Sequence, residues 1–345
     1  MKNYFEMLLA IVIATIGSIT FIYLNLPLPW LLGSIFITSI IIRFEKLPIK
    51  KPNHYFTTPA RVIIGVTIGS AFTPTILSQL DNYIYSLMLV VPYVILTAFF
   101  GILYYWKLLG FDKKTAYFAS MPGGVIEMVL LGEEMKANVA KITLVQSSRL
   151  LFIVLSLPFI IQYIFHIDIS GNKTITAPLS TLDISDMILL LIVGILGAII
   201  GKKLKLPAAY LMGPMALSII AFGTGVVGSK PPDELLKFVQ VVLGTTIGFT
   251  FIGVKIKEIV KVLLSTLGHF VILAIISGIF ISIAFGLFDF NVLSILLAFS
   301  PGGQAEINLI AILVTANIPY ITLHHIVRLV VVFNFAPFLA KRYLK

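Results

Sequence analysis

The chain has 345 residues, 59% of them hydrophobic and 12% charged, with a mean hydropathy of +1.05 and a formal net charge of +10. Soluble domains run at roughly 45–50% apolar, so composition excludes an ordinary water-soluble enzyme or a freely diffusing DNA-binding protein. The apolar runs do not alternate in polarity as a transmembrane β-strand must, which excludes a barrel, and the lack of cysteine excludes disulfides, iron–sulfur sites and thiolate chemistry.

The first predicted element is an apolar helix over 5–24. Lys2 ahead of it gives the outline of a signal peptide, but no small-residue cleavage site follows, and residues 184–201 supply an equivalent later in the chain, so it is read as a transmembrane helix. Apolar segments follow at 28–42, 59–77, 84–106, 115–132 and 142–165. After a polar linker over 166–183 come 184–201, 207–225, 238–254, 262–287, 292–315 and 320–340. The pattern predicts an all-α polytopic membrane protein.

The two sets of six are copies of one another. Met121-Pro122-Gly123-Gly124-Val125-Ile126-Glu127 returns as Ser300-Pro301-Gly302-Gly303-Gln304-Ala305-Glu306, and 14 of the 38 positions from Pro122 to Phe159 are identical at a shift of 179. Asn138 meets Asn317, Thr143 meets Thr322 and Arg149 meets Arg328. The earlier parts agree more loosely: Leu26-Pro27, Trp30-Leu31 and Gly33 match Leu206-Pro207, Tyr210-Leu211 and Gly213, and Gly65 and Gly69 match Gly244 and Gly248. The chain is therefore read as repeat 1 over 1–165, a linker over 166–183 and repeat 2 over 184–345.

Charge location gives the topology, because cytoplasmic loops collect Lys and Arg. If all twelve segments cross, 15 cations fall inside and 8 outside, with Arg149 and Arg328 buried. If the Pro-Gly-Gly segment of each half instead dips in and returns, 20 lie inside and only Lys173, Lys230 and Lys237 outside. The second arrangement has five crossings and one re-entrant segment per half. Five is odd, so the halves become inverted-topology repeats, an architecture of secondary transporters whose site lies near the midplane between broken segments. Both termini are then expected in the cytoplasm, under a bacterial-type inner membrane.

Pro lacks the donor that continues a helix, and Gly reaches backbone angles that other residues avoid, so each Pro-Gly-Gly is expected to break its helix. A helix restarting after the break presents free N–H groups and a positive dipole end, with Glu127 and Glu306 in its first turn. The expected substrate- or ion-binding set is Glu127, Glu306, Arg149, Arg328, Gly123, Gly124, Gly302, Gly303, Gln304 and Asn308. Asn138, Asn317, Gln146, His324 and His325 are secondary candidates. A plainer reading makes the motif a kink, each Glu a helix cap and each Arg the partner of a Glu. Against it, a carboxylate or guanidinium at the bilayer centre costs about 2.5–3.5 kcal/mol on insertion scales, and such residues are usually functional. The Gly-x-x-x-Gly spacings at Gly65, Gly197 and Gly244 point to close helix packing, within the chain or in a homodimer.

No phosphate-binding loop or metal-ligand spacing occurs, so no cofactor, no metal and no enzymatic activity is expected, and no basic module free of the membrane suggests nucleic acid. In its two Pro-Gly-Gly-x-x-Glu motifs with their following Arg, and in the Leu-Pro-x-x-Trp/Tyr-Leu-x-Gly entry to each half, the sequence resembles the AbrB membrane-protein family, which is distinct from the small soluble DNA-binding regulator of the same name. The resemblance implies a bacterial integral membrane protein. It also brings two family labels, ammonia monooxygenase and regulator of gene expression. The residues point instead to a secondary transporter of a small anionic solute, with a regulator acting through a partner, or a membrane monooxygenase, as alternatives.

Overall fold

The structure, a computed structural model, describes residues 2–44, 47–171, 176–252 and 256–343. Of the loop charges counted above, Lys46, Lys173, Lys255 and Lys345 lie outside the described residues. In chain order the helices are α1 (Lys2–Tyr23), α2 (Ser34–Ile41), α3 (His54–Gly69), α4 (Pro74–Leu77), α5 (Ile84–Met88), α6 (Val90–Leu103), α7 (Lys113–Ser120), α8 (Val125–Glu134) and α9 (Val139–Tyr163). They continue as α10 (Ile184–Lys203), α11 (Ala209–Gly223), α12 (Asp233–Gly248), α13 (Ile256–Leu287), α14 (Val292–Ala298), α15 (Gln304–Leu313) and α16 (Ile318–Tyr343). Among the described residues the strand-like pairing is one isolated bridge, Pro27 with Ser170.

Among the described residues six helices are long and apolar enough to cross a bilayer: Asn3–Tyr23, Leu80–Leu108, Val139–Tyr163, Ile184–Lys203, Val260–Leu287 and Ile318–Ala340. Their outer faces carry exposed Ile, Leu and Phe, as at Ile192, Leu264, Ile275 and Phe335. This is a multi-pass membrane protein. Four of the other apolar segments are shorter or broken for identifiable reasons. Those at 28–42 and 207–225 begin on left-handed Leu28 (φ 45) and Ala208 (φ 46), and the two with Pro-Gly-Gly are each divided into two helices.

Left-handed residues other than Gly are uncommon, and here they recur. Asn25 and Lys205, Leu28 and Ala208, and Lys136 and Thr315 form three pairs separated by 180, 180 and 179 positions, the shifts at which the sequence motifs recur, with His166 the one left over among the described residues.

The chain packs as two compact units, and each draws on both halves of the sequence. Unit 1 comprises residues 1–77, 155–254 and 312–314. In it, glycines let backbones touch: a Cβ on Gly65 of α3 would lie 2.5 Å from the Leu211 carbonyl of α11, and one on Gly197 of α10 would lie 2.5 Å from Pro214 Cα. Gly244 of α12 likewise rests on the Leu31 carbonyl, at 2.6 Å from such a Cβ, and Gly248 on Thr38 of α2. First-half α3 thus packs on second-half α11, and second-half α12 on first-half α2. All three Gly-x-x-x-Gly faces are taken up inside this unit.

Unit 2 comprises residues 78–154, 255–311 and 315–345, and it holds both Pro-Gly-Gly motifs. Its α7 is capped by Asp112, whose carboxylate accepts from the Thr115 N–H at 2.9 Å. Burial pushes the Asp112 carboxyl up, but hydrogen bonds from Thr115 and the charge of Lys141 outweigh it and hold its pKa below the usual carboxylate value. With a depressed folded pKa, the stability from this cap is complete above the ordinary carboxylate range near pH ~4 and is lost as pH falls through the folded value. Asp112→Ala should cost about 1 kcal/mol at neutral pH, measured by thermal unfolding in detergent; equal stability of the two proteins at neutral pH would show that the cap contributes nothing.

Candidate functional site

Each Pro-Gly-Gly is the tip of a helical hairpin. In the first, α7 stops because Met121, placed before Pro122, takes an extended backbone (φ −58, ψ 131), and α8 begins after Gly124. The chain then doubles back. Phe118 and Gly132 would stand about 21 Å apart on an unbroken helix, yet a Cβ on Gly132 would fall 3.7 Å from that of Phe118. At the base the Asn138 N–H donates to Thr115 Oγ1 at 2.9 Å, so the chain leaves where it entered. The second hairpin, α14 and α15 around Ser300–Gly303, is closed in the same way by the Asn317 N–H and Ser294 Oγ at 3.0 Å.

Side chains from neighbouring helices hold the tips. Arg149 donates Nη1 to the Met121 carbonyl at 3.0 Å and Nη2 to the Gly123 carbonyl at 3.1 Å. Arg328 does the same to Ser300 at 2.8 Å and Gly302 at 2.6 Å. Gln146 Nε2 adds bonds to the Phe118 and Met121 carbonyls at 2.9 and 3.0 Å, and His325 Nε2 lies 3.1 Å from the Leu297 carbonyl. The Tyr93 and Ser277 hydroxyls both donate to the Phe299 carbonyl, at 2.7 and 3.0 Å. Breaking a helix strips these carbonyls of their regular backbone donors, and Leu297 keeps a long bond from the Ser300 N–H at 3.4 Å. Both arginines are buried, at 3% and 4% exposure. Each stands about 15 Å into its long helix, at 1.5 Å per residue, so the tips lie near the middle of α9 and α16.

The glycines serve differently from what the sequence suggests. Among the described residues the glycines with positive φ are Gly110, Gly171 and Gly225, and Gly124 has an ordinary φ of −69. Space is the requirement. A Cβ on Gly124 would collide with Glu127 Oε2, and one on Gly303 with Glu306 Oε2. Each glutamate, third in its helix, folds back over the glycine before it, where a carboxylate faces the open N–H groups of a first turn. A Cβ on Gly123 would lie 3.0 Å from Val332 of α16, and one on Gly302 would lie 3.1 Å from Ile153 of α9. Each tip therefore touches the helix that carries the other tip's arginine. In the first hairpin no ion pair joins Glu127 to Arg149 among the described residues.

Gln304 opens α15, and its carbonyl accepts from Asn308 Nδ2 at 2.8 Å, while Asn308 Oδ1 accepts from Thr322 at 2.6 Å. Asn308 thus ties α15 to α16 one turn beyond the tip, a stitch absent from the first hairpin, where Val125 and Val129 stand. Asn138 and Asn317 cap α9 and α16 through the N–H groups of Lys141 and Tyr320. His324 lies apart from the tips: its Nδ1 meets the Tyr320 carbonyl, which only accepts, so Nδ1 carries the proton and Nε2 accepts from Ser86 at 2.9 Å. Sequence reasoning missed Tyr93, Ser277, Thr115 and Ser294. Thr115 and Ser294 carried a usable signal, a hydroxyl at matching repeat positions.

Contacts along residues 83–105 run from one hairpin to the other. Tyr83 meets Asn317 at the base of the second at 3.0 Å, Tyr93 meets Phe299 near its tip, Gly101 faces Ser120 near the first tip, and Tyr105 packs on Phe111 before the first base.

A family model described as "Transition state regulatory protein AbrB" matches residues 30–344. The chain is 23% identical to "Uncharacterized protein YhjN" of Bacillus subtilis (strain 168), over 97% of its own length and 92% of that protein. It is 25% identical to "Putative regulator AbrB" of Escherichia coli (strain K12), over 87% of its length and 85% of that protein. These matches extend over the motifs and hairpins described above, and the chain belongs to the AbrB family.

Proposed function

We propose that the protein is a secondary transporter of a small anionic solute, working by alternating access around the two hairpin tips. The observation that carries this reading is the pair of broken-helix hairpins whose tips lie about halfway along the crossing helices, each against the helix bearing the other's arginine. Irregular backbone at membrane depth is kept where protein or a water-filled cavity satisfies it, and repeat-built transporters hold their cargo at such breaks. The first-turn N–H groups of α8 and α15 would receive the anion. Glu127 and Glu306, folded over those turns, would leave and take a proton as it enters. On this reading the protein is neither an enzyme nor cofactor-dependent.

The halves are read as inverted repeats, five crossings and one re-entrant hairpin each, in a bacterial-type inner membrane with both termini cytoplasmic. The order of contacts along residues 83–105, from one hairpin base to the other, supports inversion. Charge supports it as well: Lys107, Lys113, Lys114, Lys136 and Lys141 gather around the first base, whereas no Lys or Arg occurs between Lys261 and Arg328 around the second. Single cysteines at Ala137, Thr176, Thr224 and Asn291, in a chain with no other cysteine, test the topology. Thr176, Thr224 and Asn291 should react with an impermeant reagent on intact cells and Ala137 should not; labelling of Ala137 without Thr176 would make the halves parallel.

Transport is tested by reconstituting the protein in liposomes with a panel of small carboxylates chosen by thermal shift. Glu127→Gln and Glu306→Gln should each insert normally and abolish proton-coupled flux. Full flux in both single variants and in the double variant would remove the glutamates from the site. The Escherichia coli relative's name favours a second reading, a membrane regulator acting through a partner, for which a co-purifying signalling protein and zero flux would be found.

A further inference from the structure

We propose that Arg149 and Arg328 are tethered cations, each filling in its hairpin the carbonyl cluster where a broken-helix transporter would otherwise bind a coupling alkali ion, so that the tips are held without Na+ or K+. In each hairpin the carbonyls lie two residues apart just beyond a half-helix, Met121 with Gly123 and Ser300 with Gly302. A half-helix C-terminus is the negative end of the helix dipole, and unwound carbonyls beside one are the usual ligands for a transported or coupling cation. Here the place is taken. A guanidinium is always charged and planar, and its two terminal nitrogens span two oxygens at once, which a point-like ammonium cannot do.

The assignment rests on more than proximity. Both terminal nitrogens of both arginines go to tip carbonyls, while the remaining Nε atoms, also buried, have no hydrogen-bond partner among the described residues. The side chains are therefore organised around the carbonyls alone. The same fork appears twice, although the surroundings differ: Gln146 shares the Met121 carbonyl in the first hairpin, and His325 reaches a different carbonyl, Leu297, in the second. A metal ion entering either cluster would have to displace the guanidinium or sit against its charge. These are positioning residues for the tips. On the transporter reading, coupling through an alkali ion at the tips is closed and the proton on Glu127 and Glu306 remains. That consequence rests on the proposed function, whereas the tethered-cation assignment does not.

The test reads stability rather than flux, so its failure is separable from failure of transport. Wild type and Arg328→Ala are purified in detergent, and their unfolding temperatures are followed with millimolar methylguanidinium, Na+, K+ or choline chloride at constant ionic strength. Wild type should respond equally to all four salts. Arg328→Ala should unfold at lower temperature and recover most of the loss with methylguanidinium but not with choline. Recovery with none of the small cations, or a specific stabilisation of wild type by Na+ or K+, would overturn the proposal. If Arg328→Ala does not fold, Arg328→Lys carries the same comparison: partial stability with a further gain from a small cation supports the assignment, and a destabilised protein indifferent to every cation overturns it.

Discussion

Arg328→Met should lower stability by roughly 2–6 kcal/mol, because it leaves two buried carbonyls, Ser300 and Gly302, without donors at about 1–3 kcal/mol each. Methionine keeps length and apolar volume, so lost packing contributes little. The cost of holding a guanidinium in the membrane does not cancel this penalty, since the helix carries that cost whether or not the hairpin is docked. Arg149→Met should cost only about half as much, roughly 1–3 kcal/mol. There the Met121 carbonyl keeps its bond from Gln146, and only Gly123 loses its donor. Thermal unfolding in detergent measures both. Equal losses in the two variants would show that Gln146 does not substitute for the guanidinium, and no loss in either would remove the arginines from the account of the tips.

The second large effect is steric. A Cβ on Gly197 would stand 2.5 Å from Pro214 Cα, and the obstacle is backbone, which cannot swing aside as a side chain can. Gly197→Leu should therefore cost at least ~3 kcal/mol, the upper end of overpacking penalties, by prising α10 from α11. Gly278→Leu is the control: nothing lies within 4 Å of a Cβ there, and it should be neutral. A detergent-exchange or thermal assay that ranks the two variants together would refute close backbone contact at Gly197.

Membrane residence and the location of the breaks are legible in the amino-acid sequence alone. Bilayer hydrocarbon accepts apolar runs without alternating polarity only as helices, and Pro-Gly-Gly cannot continue one, so composition and two short motifs suffice. The reason for the glycines is not legible there. Backbone freedom is the usual explanation, but at Gly124 and Gly303 a folded-back carboxylate excludes a Cβ, a fact about a neighbour's rotamer that no local pattern encodes. The destination of the arginines is likewise out of reach. Glu127 is the closest opposite charge in sequence to the first motif's tip, but the acceptors chosen by Arg149 are the carbonyls of Met121 and Gly123.

The amino-acid sequence by itself determined that the protein spans a membrane, that its Pro-Gly-Gly-x-x-Glu motif occurs at two places 179 positions apart, and that Pro122 and Pro301 each interrupt a helix. These follow from solvent preference and backbone chemistry, which are local properties of residues. Only the tertiary structure decided that the interrupted segments close into hairpins, that α3 packs on α11 while α12 packs on α2, and that Tyr93, Ser277, Arg149 and Arg328 supply the donors that the broken backbone lacks. A buried carbonyl requires a donor but does not specify which one, and the choice falls to whichever side chain the packing of distant helices brings within reach.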